Sequence, residues 1–273
     1  MDIEKYKKLK ESQIQRQKII AEKYQQMAAR EDPNSSRFEA FQKDADNTLR
    51  MMNINERELS FIRPENPEDI KERRRIMSTY AETIAQTISD DHPVFFHGVK
   101  SLAYLESILS SGHLGDVDGS SHGMVDVTGR NSIKTTLDEF VGIHESFIKA
   151  YPFLPASCMF VLEPKDDQEK TKALIGGVAS VTPVDFVQNP EQLVAIVSTT
   201  ENQDYIKDLC QKYGVATDKV CTFDSFIERM QRENEKTPRR ITHSLTDICK
   251  EGHEKQEMCL QVIQAKRADN LRK

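Results

Sequence analysis

Residues 1–96 contain no glycine, and the whole chain of 273 residues contains no tryptophan. Without glycine a segment lacks the residue that supplies tight turns and close backbone approach, so the first third reads as helix rather than as ligand-holding loops. Cysteine is scarce: Cys158, Cys210, Cys221, Cys249 and Cys259 are an odd number with no C-x-x-C pair. That pattern argues against a disulfide framework and fits reduced thiols in a cytoplasmic chain. No apolar run reaches the roughly 18–20 residues of a membrane span. The start, Met1-Asp2-Ile3-Glu4-Lys5, lacks the apolar core of a secretory signal. An excess of basic charge is missing too. The net charge is −6, and residues 91–230 carry 11 basic against 20 acidic side chains, a poor match for nucleic acid.

What is present divides into three textures. Residues 1–90 are rich in Glu, Lys, Gln and Ala, and the spacing predicts helices over about 2–30, 36–60 and 67–89. Asp32-Pro33-Asn34 and Pro64-Glu65-Asn66-Pro67 mark the breaks, and Pro67-Glu68-Asp69 is a favourable helix start. The apolar positions of the first helix keep helical spacing only loosely, which disfavours a sustained coiled coil. From Asp91 short apolar runs alternate with turns. Val94–Phe96, Cys158–Leu162, Leu174–Val181 and Leu193–Val197 read as strands, the last continuous enough for a central, doubly buried one. Helices fit 101–111, 136–150, 202–213 and 222–233. Beyond Lys236-Thr237-Pro238, Leu245, Ile248, Cys249, Cys259, Val262 and Ile263 form one helical face over about 242–270. The expected organisation is a helical region at 1–90, an α+β core at 91–230 and a helical extension at 231–273.

Seven of the eleven glycines and four of the seven histidines fall between His97 and His144. This block is therefore the first place to look for a functional surface. It opens with Phe95-Phe96-His97-Gly98, passes a helical stretch at Leu102–Leu109, and enters the glycine-rich run Gly112–Gly129. Two histidines and two aspartates between Gly112 and Gly123 suggest a metal-dependent hydrolase. The EF-hand pattern fails, because Ser121 stands where its glycine belongs and Val127 where its glutamate belongs. A polar loop that holds no metal explains the same residues. Cys158 paired with His97 or His144 would make a thiol nucleophile, but Ser157-Cys158-Met159-Phe160-Val161 reads as strand interior, where cysteine is a small buried hydrophobe. Gly176-Gly177 fits a bulge or hairpin.

The His97-Gly98 segment resembles the opening motif of the ADP-ribosyltransferase superfamily. There a strand ending in His-Gly precedes a helix of the form Leu-x-x-Ile-Leu-x-x-Gly, matched here by Leu105, Ile108, Leu109 and Gly112. The resemblance implies a two-sheet, mixed or antiparallel α+β core, NAD as the cosubstrate and a protein acceptor for ADP-ribose. It implies that His97 holds the adenosine ribose and that the Gly98 backbone pairs with the nicotinamide amide. Ser132-Ile133-Lys134-Thr135-Thr136 stands in the place of the family's second element, which makes Thr135 and Thr136 nicotinamide-flanking candidates. The third element, a glutamate at a strand start, falls on Glu191, with Glu163 as competitor. Arg130, the sole arginine between Arg75 and Arg229, suits bidentate grip of a pyrophosphate, or balances Asp118 and Asp126 on a surface. The paired tyrosines of the diphtheria-toxin-like branch and the Gln/Glu-x-Glu signature of arginine-modifying members are missing. A strand-end histidine with a turn glycine, and an exposed acid before a strand, are the bland readings of the same residues. Helical flanks on such a core suit a bacterial effector or toxin, delivered to a host cytosol without a cleavable signal peptide. The alternative is a non-catalytic α+β interaction module that binds a protein partner through its helices.

Overall fold

The computed structural model describes residues 1–87, 94–114, 125–128, 137, 141–163, 172–174, 178–181 and 184–234. Two long helices open the chain, α1 (Ile3–Ala28) and α2 (Ser36–Ser60). Each starts on a residue whose side chain replaces a missing backbone partner. Asp2 accepts from the Glu4 amide and Ser35 from the Phe38 amide. They pack as an antiparallel pair. Ala21, Ala28 and Ala45 are buried on the facing sides, small enough to bring the backbones close.

The third expected helix is not continuous. α3 (Pro67–Arg75), capped by Asn66, gives way to a π-helical turn at Ile76–Tyr80 and then to α4 (Ala81–Thr87). The wider turn leaves Ile76, Tyr80 and Ile84 all buried against the sheet.

From Phe95 the chain alternates strands and helices: β1 (Phe95–Gly98), α5 (Leu102–Ser111), β2 (His113–Leu114), β3 (Val125–Thr128), α6 (Glu145–Ala150), β4 (Cys158–Leu162), β5 (Lys172–Leu174), β6 (Val178–Val181), β7 (Val184–Asp185), β8 (Leu193–Ser198), α7 (Gln203–Lys212), β9 (Val220–Thr222) and α8 (Phe223–Asn234). Seven strands form one mixed sheet in the order β5-β6-β3-β1-β4-β8-β9, and β2 pairs with β7 in a separate ribbon. All pairs are antiparallel except β8–β9. A parallel neighbour requires a crossover, and α7 supplies it. The fold class is thus α+β. The expected strand at Leu174–Val181 resolves into the antiparallel pair β5–β6. The helix expected over 136–150 reaches only from Glu145 to Ala150 in its later part, because Gly142 takes a left-handed φ of 70°. The extension expected at 242–270 lies outside the described residues.

Both faces of the sheet are covered. On one, Phe95, Cys158, Phe160, Leu162, Leu193 and Ile196 meet α5 and α7. On the other, Phe96, Met159, Val161, Ala195 and Val197 meet α8 and the π-turn segment. β4 is buried at every position, which is why it reads as an unbroken apolar run.

A buried ion pair joins the helical region to this core. Arg73, 1% exposed, pairs with Asp69 one turn earlier and donates to the Leu154 carbonyl at 2.8 Å. Around it, Arg63 pairs with Glu201 at 2.7 Å, Asn66 donates to Glu201 at 3.0 Å, and the Thr200 amide donates to Glu72. Tyr6 of α1 reaches the same side of the core and packs edge-on to Tyr151 and Phe153.

Candidate functional site

β1 is an interior strand, with β3 on one side and β4 on the other. His97 lies opposite Phe160 and Gly98 opposite Met159, both partly buried. Pleat alternation puts His97 on the face of Phe95 and Val99, the side covered by α5. α5 follows at once. Ser101 caps it by accepting from the Ala103 amide, while Leu105, Ile108 and Leu109 are buried. The helix ends at Gly112 with φ +75°, and a Cβ there would lie 2.7 Å from Val187 Cγ2. The apolar and glycine positions of the motif are thereby accounted for as a packed helix with a left-handed cap.

Glu163 leaves the end of β4, and its amide donates to the Gln192 carbonyl at 2.8 Å. Glu191 is the exposed middle residue of a 3₁₀ turn, Pro190–Gln192, that leads into β8. The ladder therefore brings Glu163 and Glu191 to the same end of the sheet. Glu163 lies three residues along β4 from the partner of His97, which is about 10 Å along the strand direction. Arg130, Thr135, Thr136 and residues 115–124 of the glycine-rich run lie outside the described residues.

The nucleophile reading of Cys158 is not favoured. Cys158 is fully buried, and burial together with neighbouring Cys210 pushes its thiol pKa far above the ordinary value. His144 serves as the N-cap of α6, with Nδ1 accepting from the Ser146 amide at 3.2 Å. Among the described residues no group of three or more His, Cys, Asp or Glu is placed to hold a metal ion.

A second site carries no signal in the sequence. The π-turn and α8 enclose an open pocket of about 390 Å³, lined by Arg75, Thr79, Tyr80, Thr83, Asp224, Ile227 and Glu228. Arg75 donates to both carboxylate oxygens of Asp224 (3.2 and 2.9 Å) and to the Tyr80 hydroxyl (2.6 Å), and lies over the Tyr80 ring at 5.0 Å. Tyr80 in turn bonds to Asp224. Asp224, by its hydrogen bond above all, raises the Arg75 pKa. Thr79 and Thr83 donate their hydroxyl hydrogens to the carbonyls four residues back, Arg75 and Thr79. With the guanidinium matched by Asp224 and Glu228 beside it, the pocket offers little net positive charge to an anion. π-turns recur at functional positions. Arg75 and Asp224 are 149 residues apart, so no local pattern could have joined them.

No family model matches the chain, nor does any curated protein or solved structure.

Proposed function

We propose that the chain is an NAD-dependent, ADP-ribosyltransferase-like enzyme that moves ADP-ribose to a protein acceptor. The observation that carries the reading is the β1–α5 junction. A central strand ends in a partly exposed His-Gly pair and runs directly into a buried, glycine-capped helix. An imidazole there can bond a ribose hydroxyl, and the side-chain-free Gly98 permits close approach of an amide. The carboxylates stand about 10 Å further along the sheet. A dinucleotide carries two riboses separated by a pyrophosphate, so a histidine for one ribose and a carboxylate for the other need not be neighbours. The finer two-sheet arrangement of that superfamily belongs to this proposal as well.

Glu191 is the first choice for stabilising the positive charge that develops as the nicotinamide bond breaks, and Glu163 the second. A carboxylate aimed at that charge acts in the transition state more than in the ground state. NAD titration with thermal melting tests the binding half of the proposal. At a hundred times its dissociation constant a ligand adds about 2.7 kcal/mol, and His97→Ala removes most of the shift. Nicotinamide release tests the chemistry: Glu191→Gln lowers turnover at least a hundredfold with NAD affinity retained. Loss in Glu163→Gln instead moves the catalytic acid to β4. If wild-type protein neither binds nor consumes NAD with candidate acceptors present, the enzyme reading falls and the interaction module stands.

A further inference from the structure

The outward side of α1 is unusual for a surface helix. Among the described residues six large hydrophobic side chains are exposed, and four of them, Leu9 (46%), Ile19 (52%), Ile20 (44%) and Met27 (41%), are on this one helix. At 100° per residue all four fall within an arc of about 100°. Scattered exposed hydrophobics need no explanation, but a row of them does. The same arc holds Lys5, Arg16, Lys23 and Arg30, the last just past the helix end, all exposed. Among the described residues none of these four cations makes an ion pair, in contrast to Lys10 on the packed side, which pairs with Glu58 at 2.7 Å. The acids Glu4, Glu11 and Glu22 project from other sides of the cylinder; Asp2, at the edge of the arc, is the N-cap and accepts from the Glu4 amide. Tyr6, Ala21 and Ala28 on the packed side are fixed against α2 and the core. The row therefore cannot be hidden by rotating the helix in place.

From Lys5 to Arg30 the row runs about 37 Å at 1.5 Å per residue. We propose that this face of α1 docks flat on an anionic lipid surface, the apolar side chains entering the headgroup region while the four cations bond phosphates and carboxylates around them. Apolar residues framed by unpaired Lys and Arg are the composition such a surface selects. Long basic side chains lay their methylenes along the apolar row and keep their charge at the headgroups. The acidic remainder of the chain sets a limit: attraction is local to this face, and salt screens it over about 10 Å at 0.1 M. The helix lies on the bilayer and does not cross it, since no described helix is long and apolar enough to span.

The test is co-sedimentation of the full chain with vesicles of phosphatidylcholine alone and of phosphatidylcholine with 30% phosphatidylserine. Binding at least tenfold stronger to the anionic vesicles, weakened between 50 and 300 mM salt, is expected. Reversing Lys5, Arg16, Lys23 and Arg30 to Glu should abolish it, at about fivefold or more per cation. Leu9→Ser, Ile20→Ser and Met27→Ser together should also weaken it at least tenfold at unchanged charge. All seven positions are exposed, so circular dichroism should report an unchanged fold in both variants. No binding to anionic vesicles at 50 mM salt overturns the proposal. So does binding that the serine variant leaves intact, since charge alone would then explain it. A concentration-dependent dimer in light scattering that Ile20→Ser dissolves also overturns it, by giving the face to a second copy of the chain.

Discussion

The α1–α2 pair and the central strands solve the burial problem in opposite ways. Along the two helices the only fully buried hydrophobic residues are Tyr6, Ala21, Ala28, Ala45 and Ile54, three of them alanine. Polar ties take over: Lys10 donates to Asn55 and Glu58, Asn55 to Gln17, and the Tyr6 hydroxyl to Glu58 at 2.7 Å. β4 buries all five side chains and the neighbouring β8 five of six. Apolar burial of this kind is worth about 25 cal/mol per Å², whereas the attraction within a largely buried ion pair such as Lys10–Glu58 is offset by the cost of desolvating both charges. The pair is held by helix propensity and hydrogen bonds, and the sheet by its core. Local opening should therefore begin in the helices.

The largest test of that contrast is Phe160→Ala. Its ring is fully buried and stacks on Phe186 at 6.1 Å, so a loss of about 4 kcal/mol in urea unfolding is expected. A loss under about 1 kcal/mol would mean the sheet is not the stability core. Asp69→Ala comes next, at about 3 kcal/mol, because it strands the buried Arg73 guanidinium without its counter-ion. This variant should also raise protease sensitivity around α3, since Arg73 ties that helix to Leu154. Gly112→Ala should cost about 1–2 kcal/mol from its left-handed backbone alone, with crowding against Val187 added. In α1, Ala21→Gly should cost about 1 kcal/mol. Hydrogen exchange in that variant should speed up within α1 and α2 but not in β4, and faster exchange in both would join the two regions into one cooperative unit.

The smallest effect is a pH dependence at the joint. Glu106 on α5 accepts from Lys212 (2.7 Å) and Tyr213 (2.8 Å) of the α7 end and pairs with Arg57 of α2. The Lys212 hydrogen bond foremost, with Tyr213 and Arg57, holds its carboxyl below the usual range. A depressed folded-state pKa contributes stability above the unfolded value of about 4.3 and loses it as the pH falls through the folded value. Glu106→Gln should therefore flatten the decline of the urea midpoint between pH 5 and 3. An unchanged slope would remove Glu106 from the joint.

The long helices were legible in the sequence because composition, prolines and the absence of glycine mark them: Pro67 stands at the start of α3, while the capping roles of Asp2 and Ser35 emerge from the structure. β4 and β8 were legible because doubly buried strands read as continuous apolar runs. β2, β7 and β9, of two, two and three residues, are too short to carry a period and exist by pairing with distant partners. The π-turn at Ile76–Tyr80 hides inside a good helical sequence, since its extra residue per turn is set by what Ile76 and Tyr80 must reach. Of the candidate site, the ordering of β1 and α5 could be read locally. The clustering of Glu163 with Glu191, and their separation from His97, depend on ladder register, which no local pattern contains.

The buried sulfurs have a use as a clock. Cys158 and Cys210 are sealed on the α7 side of the sheet and Cys221 on the other, each less than a tenth exposed. Burial drives the Cys210 thiol up to about 12, so neither access nor thiolate chemistry favours a reagent until the sheet parts from its helices. In a variant with Cys249 and Cys259 changed to Ser, labelling by an aromatic disulfide at low reagent concentration then follows the population of opened molecules. Each face would report its own parting from the sheet through a native side chain, and the ratio of the two labelling rates would rank how often each layer opens.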